Sequence, residues 1–253
     1  MDLNSKKIVF IDLDGTLIKT KSGSKFPKGV WDMDLNLKVF EQLKKMQPSA
    51  IFIVSNQGGI QLNLIPKQLF VNKFMYILSC VQEFVGGIDN FVYVAGQFCE
   101  DNNEENEYRK PNTKMLDSLL KEFSDKLCKQ LNKEDCIMIG DTSGLIESYS
   151  DCDLKTAKNF GIDYIDVKDF ENADISDITY KIFDEDFNVI KENLTKEERD
   201  NFKREEGDEK KYTWAPSRWI EPDKKALEAK MKIEEEQRKN NKGKIRHFDL
   251  RKK

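Results

Sequence analysis

The chain has 253 residues, 38% of them hydrophobic and 35% charged, with a formal net charge of −4. That length buries one α/β core and leaves room for an appendage, while the charged fraction is high enough to require a poorly buried segment. No run approaches the roughly 18 consecutive apolar residues of a membrane helix, and the first seven residues lack the apolar stretch of a signal peptide. The expectation is therefore an intracellular protein, nuclear or cytoplasmic, with no membrane partner.

The first apolar run, 8–13, reads as a strand, and four others follow at 51–55, 91–95, 136–140 and 164–167. Each is rich in Ile, Val, Phe or Tyr and nearly free of charge, the composition of strands covered on both faces. Helical patterns lie between them at 34–46, 66–85, 112–130 and 153–160, the third opening after Pro111. This alternation predicts an α/β fold with a doubly wound parallel sheet over residues 1–170.

Beyond it, 169–207 turns acidic and irregular, with amphipathic helices expected around Ile178 and Val189, so 171–221 reads as an acidic helical extension packing on the core. The stretch Trp214-Ala215-Pro216-Ser217-Arg218-Trp219 is unusually aromatic for a linker and either packs back on the body or stacks on bases or a partner. Residues 222–239 read as a solvated helix whose large apolar side chains are Leu227, Met231 and Ile233. Residues 222–253 hold 12 Lys and Arg against 6 Asp and Glu, a net of +6 that leaves the rest of the chain at −10. This basic tail, helical or disordered, either grips a nucleic-acid backbone, docks on a protein partner or is simply solvated. The cysteines, Cys80, Cys99, Cys128, Cys136 and Cys152, are odd in number and widely spaced, which suggests neither a disulfide framework nor a zinc site.

Chemistry concentrates where apolar strands end. The first runs into Asp12-Leu13-Asp14-Gly15-Thr16, and because strand side chains alternate, Asp12 and Asp14 are expected to project the same way at the sheet's carboxyl edge, where ligands sit. Two carboxylates aimed at one point repel each other, so Mg²⁺ is the natural third party. One can attack phosphorus while the other moves a proton. The bland alternative is a strand-end turn. The second strand ends in Ser55-Asn56-Gln57-Gly58-Gly59, whose hydroxyl, amides and backbone N–H groups suit phosphate oxygens, or which is only a turn. In Tyr108-Arg109-Lys110-Pro111, a helix start at Pro111 would put Lys110 at its positive end, ready to neutralise a phosphoryl group; a solvated basic pair is the alternative. Asp141, after the fourth strand, would complete the magnesium ligands with Asp12 and Asp14. Asp151 and Asp153 read either as groups that orient metal water or Lys110, or as surface acids. Thr16, Asn56, Gln57, Gly58 and Arg109 are candidate substrate contacts, and Asp12, Asp14, Ser55 and Lys110 the candidate catalytic set. His247, the sole histidine, lies in the tail and is not expected to act in catalysis.

These segments, in this order, resemble the haloacid dehalogenase superfamily of phosphotransferases: Asp12 and Asp14 fit its first motif, Ser55 the second, Lys110 the third and Asp141 the fourth. An acid at Asp14 is what the phosphatases and mutases of that superfamily carry, and with only 17–50 between the first two strands, little or no cap is implied. The string from Asp12 to Pro27, with Ser55-Asn56-Gln57-Gly58-Gly59-Ile60, Tyr108-Arg109-Lys110-Pro111 and the 150–161 stretch, is similar to the polynucleotide kinase 3′-phosphatase family. That resemblance implies a Mg²⁺-dependent phosphatase that removes a 3′-phosphate from DNA ends during repair, through an aspartyl-phosphate. The implied partner is a nucleic acid with 3′-phosphate ends, with repair or replication proteins as candidates for the tail; the chain is read as a monomer. No Gly-x-x-x-x-Gly-Lys-Ser/Thr loop occurs in the chain, so 5′-kinase activity is not expected. The insertion that follows the fourth motif in that family looks shortened to 145–149. Two rival readings are an enzyme of this fold acting on a small ester, such as a sugar or histidinol phosphate, and a non-catalytic scaffold that binds nucleic acid or partners.

Overall fold

Apolar runs buried on both faces become the inner strands of one sheet. The computed structural model describes residues 2–24, 27, 29–86, 91–144, 150–186, 188–205 and 212–242. Strand β1 (Ile8–Ile11) leads into a small antiparallel hairpin of β2 (Ile18–Thr20) and β3 (Met33–Leu35). Helix α1 (Leu37–Met46), β4 (Ala50–Asn56), α2 (Lys67–Val81), β5 (Tyr93–Cys99) and α3 (Lys114–Leu127) follow. After these come β6 (Cys136–Gly140), α4 (Cys152–Phe160), β7 (Asp163–Asp166) and the single turn α5 (Val167–Phe170). The five long-range strands pair in parallel in the order β5-β4-β1-β6-β7. The chain crosses from β1 to β4 on one side and later returns to β6 on the other, so the carboxyl end of β1 is the switch point where such sheets bind ligands.

Strand alternation sorts the core into two layers. Val9, Ile11, Ile51, Ile53, Ile137 and Ile139 share one cluster with Val39, Phe40, Leu43 and Met46 of α1 and Phe70, Phe74, Ile77 and Val81 of α2. The helical members recur every three or four residues, as a single buried stripe demands. On the opposite face, Phe10 meets Phe52 and Phe160 of α4 at ring-centroid distances of 5.2 and 5.8 Å. There Gln97 of β5 accepts a 2.8 Å hydrogen bond from Ser118 of α3. Each such apolar side chain, fully buried, stabilises the fold by about 1.5–3 kcal/mol. Helices on both faces of a parallel sheet, with only the hairpin between β1 and α1, make a doubly wound α/β core with little cap.

Downstream of α5 the expected helices around Ile178 and Val189 are strands instead. β8 (Tyr180–Phe183) and β9 (Val189–Leu194) form an antiparallel sheet with β10 (Thr213–Pro216) in the order β10-β8-β9, and the one helix there is α6 (Lys196–Glu205). Asp184 turns the chain by accepting from the Asn188 N–H at 2.7 Å. The aromatic stretch packs back on the body: Trp214 lies 5.0 Å from Phe91 and 5.4 Å from Tyr180, and Trp219 6.1 Å from Phe183. Buried Arg218 donates to the carbonyls of Asn4 (3.0 Å) and Met46 (2.7 Å).

By contact density the chain forms two units, Met1–Leu119 with Asn132–Ile220, and Leu120–Leu131 with Glu221–Lys253. The 171–221 segment, expected as an extension packing on the core, falls up to Ile220 in the first unit, and 120–131 falls in the second. In that second unit α7 (Lys224–Lys242) is a solvated helix with Met231 and Ile233 exposed, and Lys230 donates to the Asp125 carbonyl at 3.0 Å. Lys244, Arg246, His247, Arg251, Lys252 and Lys253 lie outside the described residues, as do 145–149. All five cysteines are free thiols. Among the described residues no helix is long and apolar enough to cross a membrane.

Candidate active site

The switch point gathers residues from four chain segments. The amide of Asp12 still donates to Ile139 O at 2.9 Å, so the β1–β6 ladder runs one residue past β1 and sets Asp12 beside the end of β6, where Asp141 follows Gly140. Two glycines make that approach feasible. Gly15 has φ +96° and a Cβ there would collide with the Asp141 carboxylate; a Cβ on Gly140 would collide with that of Asp153. Lys110 arrives from the far side of β4 and is held by one side chain. Asn56 accepts from the Lys110 N–H and donates to the Lys110 carbonyl, both at 2.8 Å, like a strand added by a single residue. Lys110 sits three residues ahead of Thr113, where the α3 ladder begins, so that clamp places it and not the expected positive end of a helix at Pro111.

The ammonium of Lys110 uses all three of its protons: on Asp12 Oδ1 (2.5 Å), Asp153 Oδ1 (2.7 Å) and the Val54 carbonyl (3.0 Å). Asp153, in the first turn of α4, is 1% exposed and is locked further by Thr142, whose hydroxyl accepts from the Asp153 N–H at 2.9 Å. Oxygens of Asp12, Asp141 and Asp153 lie within 4.8 Å of one another. Two carboxylates thus share one ammonium, with a third beside them. Burial, then Asp153, pushes the Asp141 carboxyl up to about 6. Burial also raises Asp12 well above the ordinary carboxylate range, with Asp153 and Asp141 adding to it and Lys110 opposing. Burial alone would lower Lys110, yet Asp12 and Asp153 outweigh it and push its ammonium up. This excess of buried negative charge, presented by hard oxygen donors, fits a divalent cation such as Mg²⁺.

The Asp14 side chain stands apart from that acidic group. β1 ends at Ile11 and the chain turns at Gly15, so the alternation that would have aimed Asp14 with Asp12 is lost. Its carboxylate instead takes Lys73 Nζ of α2 on Oδ1 (2.9 Å) and Gln57 Nε2 on Oδ2 (2.7 Å). The close acidic group is Asp12, Asp141 and Asp153. Thr16 is likewise displaced: it is fully buried behind the turn, outside the cavity lining, where a substrate contact was expected.

The remaining candidates line one cavity of about 950 Å³, together with Asp12, Asp14, Lys73, Lys110, Asp141 and Asp153. Ser55 Oγ accepts from Gln57 at 2.8 Å, and Asn56 serves the Lys110 backbone. Arg109 donates to the Asp101 carbonyl at 3.0 Å, and Gly58 sits where a Cβ would lie 2.6 Å from Asn102 Oδ1. Leu62, Leu64, Ile65 and Leu69 give the cavity one apolar flank. Sequence reading missed Lys73, which looks like any solvated lysine of an amphipathic helix; of its two alternatives for Asp153, the structure shows the one in which this acid orients Lys110.

A sequence profile described as "Polynucleotide kinase 3 phosphatase" matches residues 7–170, which hold every residue of this site. The chain belongs to that family. Three relatives are similar to it. A protein of Autographa californica nuclear polyhedrosis virus, described as an uncharacterized 20.8 kDa protein, is 29% identical over 67% of this chain and 87% of its own length. The bifunctional polynucleotide phosphatase/kinase of Schizosaccharomyces pombe is 31% identical over 63% of this chain and 36% of that protein. The histidine biosynthesis bifunctional protein HisB of Buchnera aphidicola is 26% identical over 66% of this chain and 42% of that protein. The chain therefore spans less than half of the two bifunctional relatives.

Proposed function

We propose that the chain is a Mg²⁺-dependent polynucleotide 3′-phosphatase that hydrolyses the terminal phosphomonoester of DNA ends through an aspartyl-phosphate on Asp12. The observation that carries the phosphatase chemistry is the pairing of one carboxylate held by Lys110 in an acidic cluster with a second, two residues on, held apart by its own lysine. The family match and the fission-yeast relative support the polynucleotide substrate.

In this reading Asp12 Oδ attacks phosphorus in line with the leaving oxygen, and Lys110 fixes its orientation and offsets charge on the phosphoryl oxygens. Ser55 and the N–H groups of Gly58 and Gly59 hold the remaining oxygens. Asp14 gives its proton to the leaving oxygen and afterwards takes one from the attacking water. A cation held by Asp12, Asp141 and Asp153 would supply positive charge for the phosphoryl group and keep Asp12 ionised. The basic tail, 222–253, is proposed to attract the nucleic-acid backbone or a repair protein.

The second reading, hydrolysis of a small phosphate ester, is favoured by the similarity to HisB. Phosphate release from a 3′-phosphorylated oligonucleotide, a 5′-phosphorylated one and a sugar phosphate, each with and without Mg²⁺, separates the two. Fastest release from the 3′-phosphorylated end is expected; release from the sugar phosphate alone would sink the polynucleotide assignment.

A further inference from the structure

We infer that Lys73 is the positioning residue of Asp14, fixing the carboxyl that moves the proton; this rests on the phosphatase reading above. Lys73 lies in the second turn of α2, is 5% exposed and lines the cavity. Its ammonium reaches Asp14 Oδ1 at 2.9 Å and lies 5.0 Å from the centre of the Phe70 ring. Lys67, six residues earlier on the same helix, pairs with Glu100 in solvent. Burying the Lys73 charge costs several kcal/mol that its partner must offset, and an apolar chain of similar volume would often stabilise a fold equally well. Stability alone therefore gives little reason for a cation there, whereas holding a proton-transfer group does.

Gln57 completes the device. Its amide donates to Asp14 Oδ2 and to Ser55 Oγ, while its own N–H is tied to Cys99 O at 2.6 Å. With Lys73 on one oxygen and Gln57 on the other, the Asp14 carboxyl cannot spin about its Cβ–Cγ bond. Each oxygen still has one lone pair for the transferable proton. As the Asp12 oxygen bonds to phosphorus, the bond to the leaving oxygen breaks, its electron pair stays on that oxygen, and the Asp14 proton joins it. Water then attacks the aspartyl-phosphate and returns a proton to Asp14, releasing Asp12 and inorganic phosphate. A misaligned Asp14 harms these transfers and nothing else.

The test uses two esters that differ in their need for that proton. An alkyl phosphate, the 3′-phosphorylated oligonucleotide or the sugar phosphate, whichever the wild type hydrolyses, has a poor leaving group; p-nitrophenyl phosphate leaves without protonation. Lys73→Met should slow single-turnover release of the leaving group, which precedes the water step the two esters share, by about 100-fold for the alkyl ester, the scale of a general acid, and by less than about 5-fold for the aryl ester. Lys73→Arg should recover most of the loss, and Lys73→Met added to Asp14→Asn should cost no more than Asp14→Asn alone. Equal losses on both esters, or a raised KM with kcat intact, would overturn the inference while leaving the phosphatase reading in place. A wild-type chain that hydrolyses neither ester would overturn both. Should the methionine variant not fold, Lys73→Gln carries the same two-ester comparison.

Discussion

Asp12 and Asp14 are two residues apart in sequence yet sit in opposite electrostatic situations. Asp12 shares the single ammonium of Lys110 with Asp153 while Asp141 crowds both. Asp14 is held by Lys73 and Gln57. The first group crowds three acids together, whereas the second sets one acid against one lysine. Proximity along the strand therefore does not assign a carboxylate to the metal. Its partners do.

The comparison breaks most completely at Asp12. Asp12→Asn should lower phosphate release by about 10⁴-fold or more, because an amide oxygen is a poor nucleophile, while thermal unfolding stays close to wild type. Wild-type turnover by this variant would remove covalent catalysis from the account. Lys110→Met comes next. It strips the one cation from two buried carboxylates and should destabilise the metal-free chain by about 3–5 kcal/mol in urea unfolding, with activity lost. An unchanged unfolding midpoint would show that the ammonium is not what holds the cluster.

A sharper contrast comes from neutralising one acid in each group. Asp153→Asn should weaken Mg²⁺ binding by about 10-fold or more in calorimetry, since it removes a donor to a hard cation, whereas Asp14→Asn should leave it within about 2-fold. Equal weakening by both would return Asp14 to the ligands. The smallest effect is on stability against pH. The raised Asp141 carboxyl binds its proton more tightly in the folded chain than in the unfolded one, so metal-free stability falls as pH rises from about 4 to about 6 and the loss is complete above that. Mg²⁺ relieves the same repulsion. The rise in melting temperature that saturating Mg²⁺ gives should therefore be larger near pH 8 than near pH 5, by a few degrees; equal rises would detach the cation from these acids.

The inner strands were legible because β1, β4 and β6 are buried on both faces and read as continuous apolar runs. Their ends fell within a residue or two of expectation, and the helices between them within four. The strands β8 and β9 were not legible. β9 is exposed along nearly its whole length, and its Lys-Glu-Asn centre interrupts any apolar run or alternation that would mark it. Lys73 was hidden for a related reason: a charged residue in a helix ordinarily faces water, and nothing local tells when it does not.

The sequence by itself determined the parallel α/β core, its carboxyl edge and the presence there of Asp12, Asp14, Ser55, Lys110 and Asp141, because burial on both faces and turn chemistry are written in short windows. Only the tertiary structure decided which acid meets which cation. Lys110 reaches Asp12 across 98 residues and Lys73 reaches Asp14 across 59. Ion pairs are set by distances in space, and no periodicity along the chain encodes them.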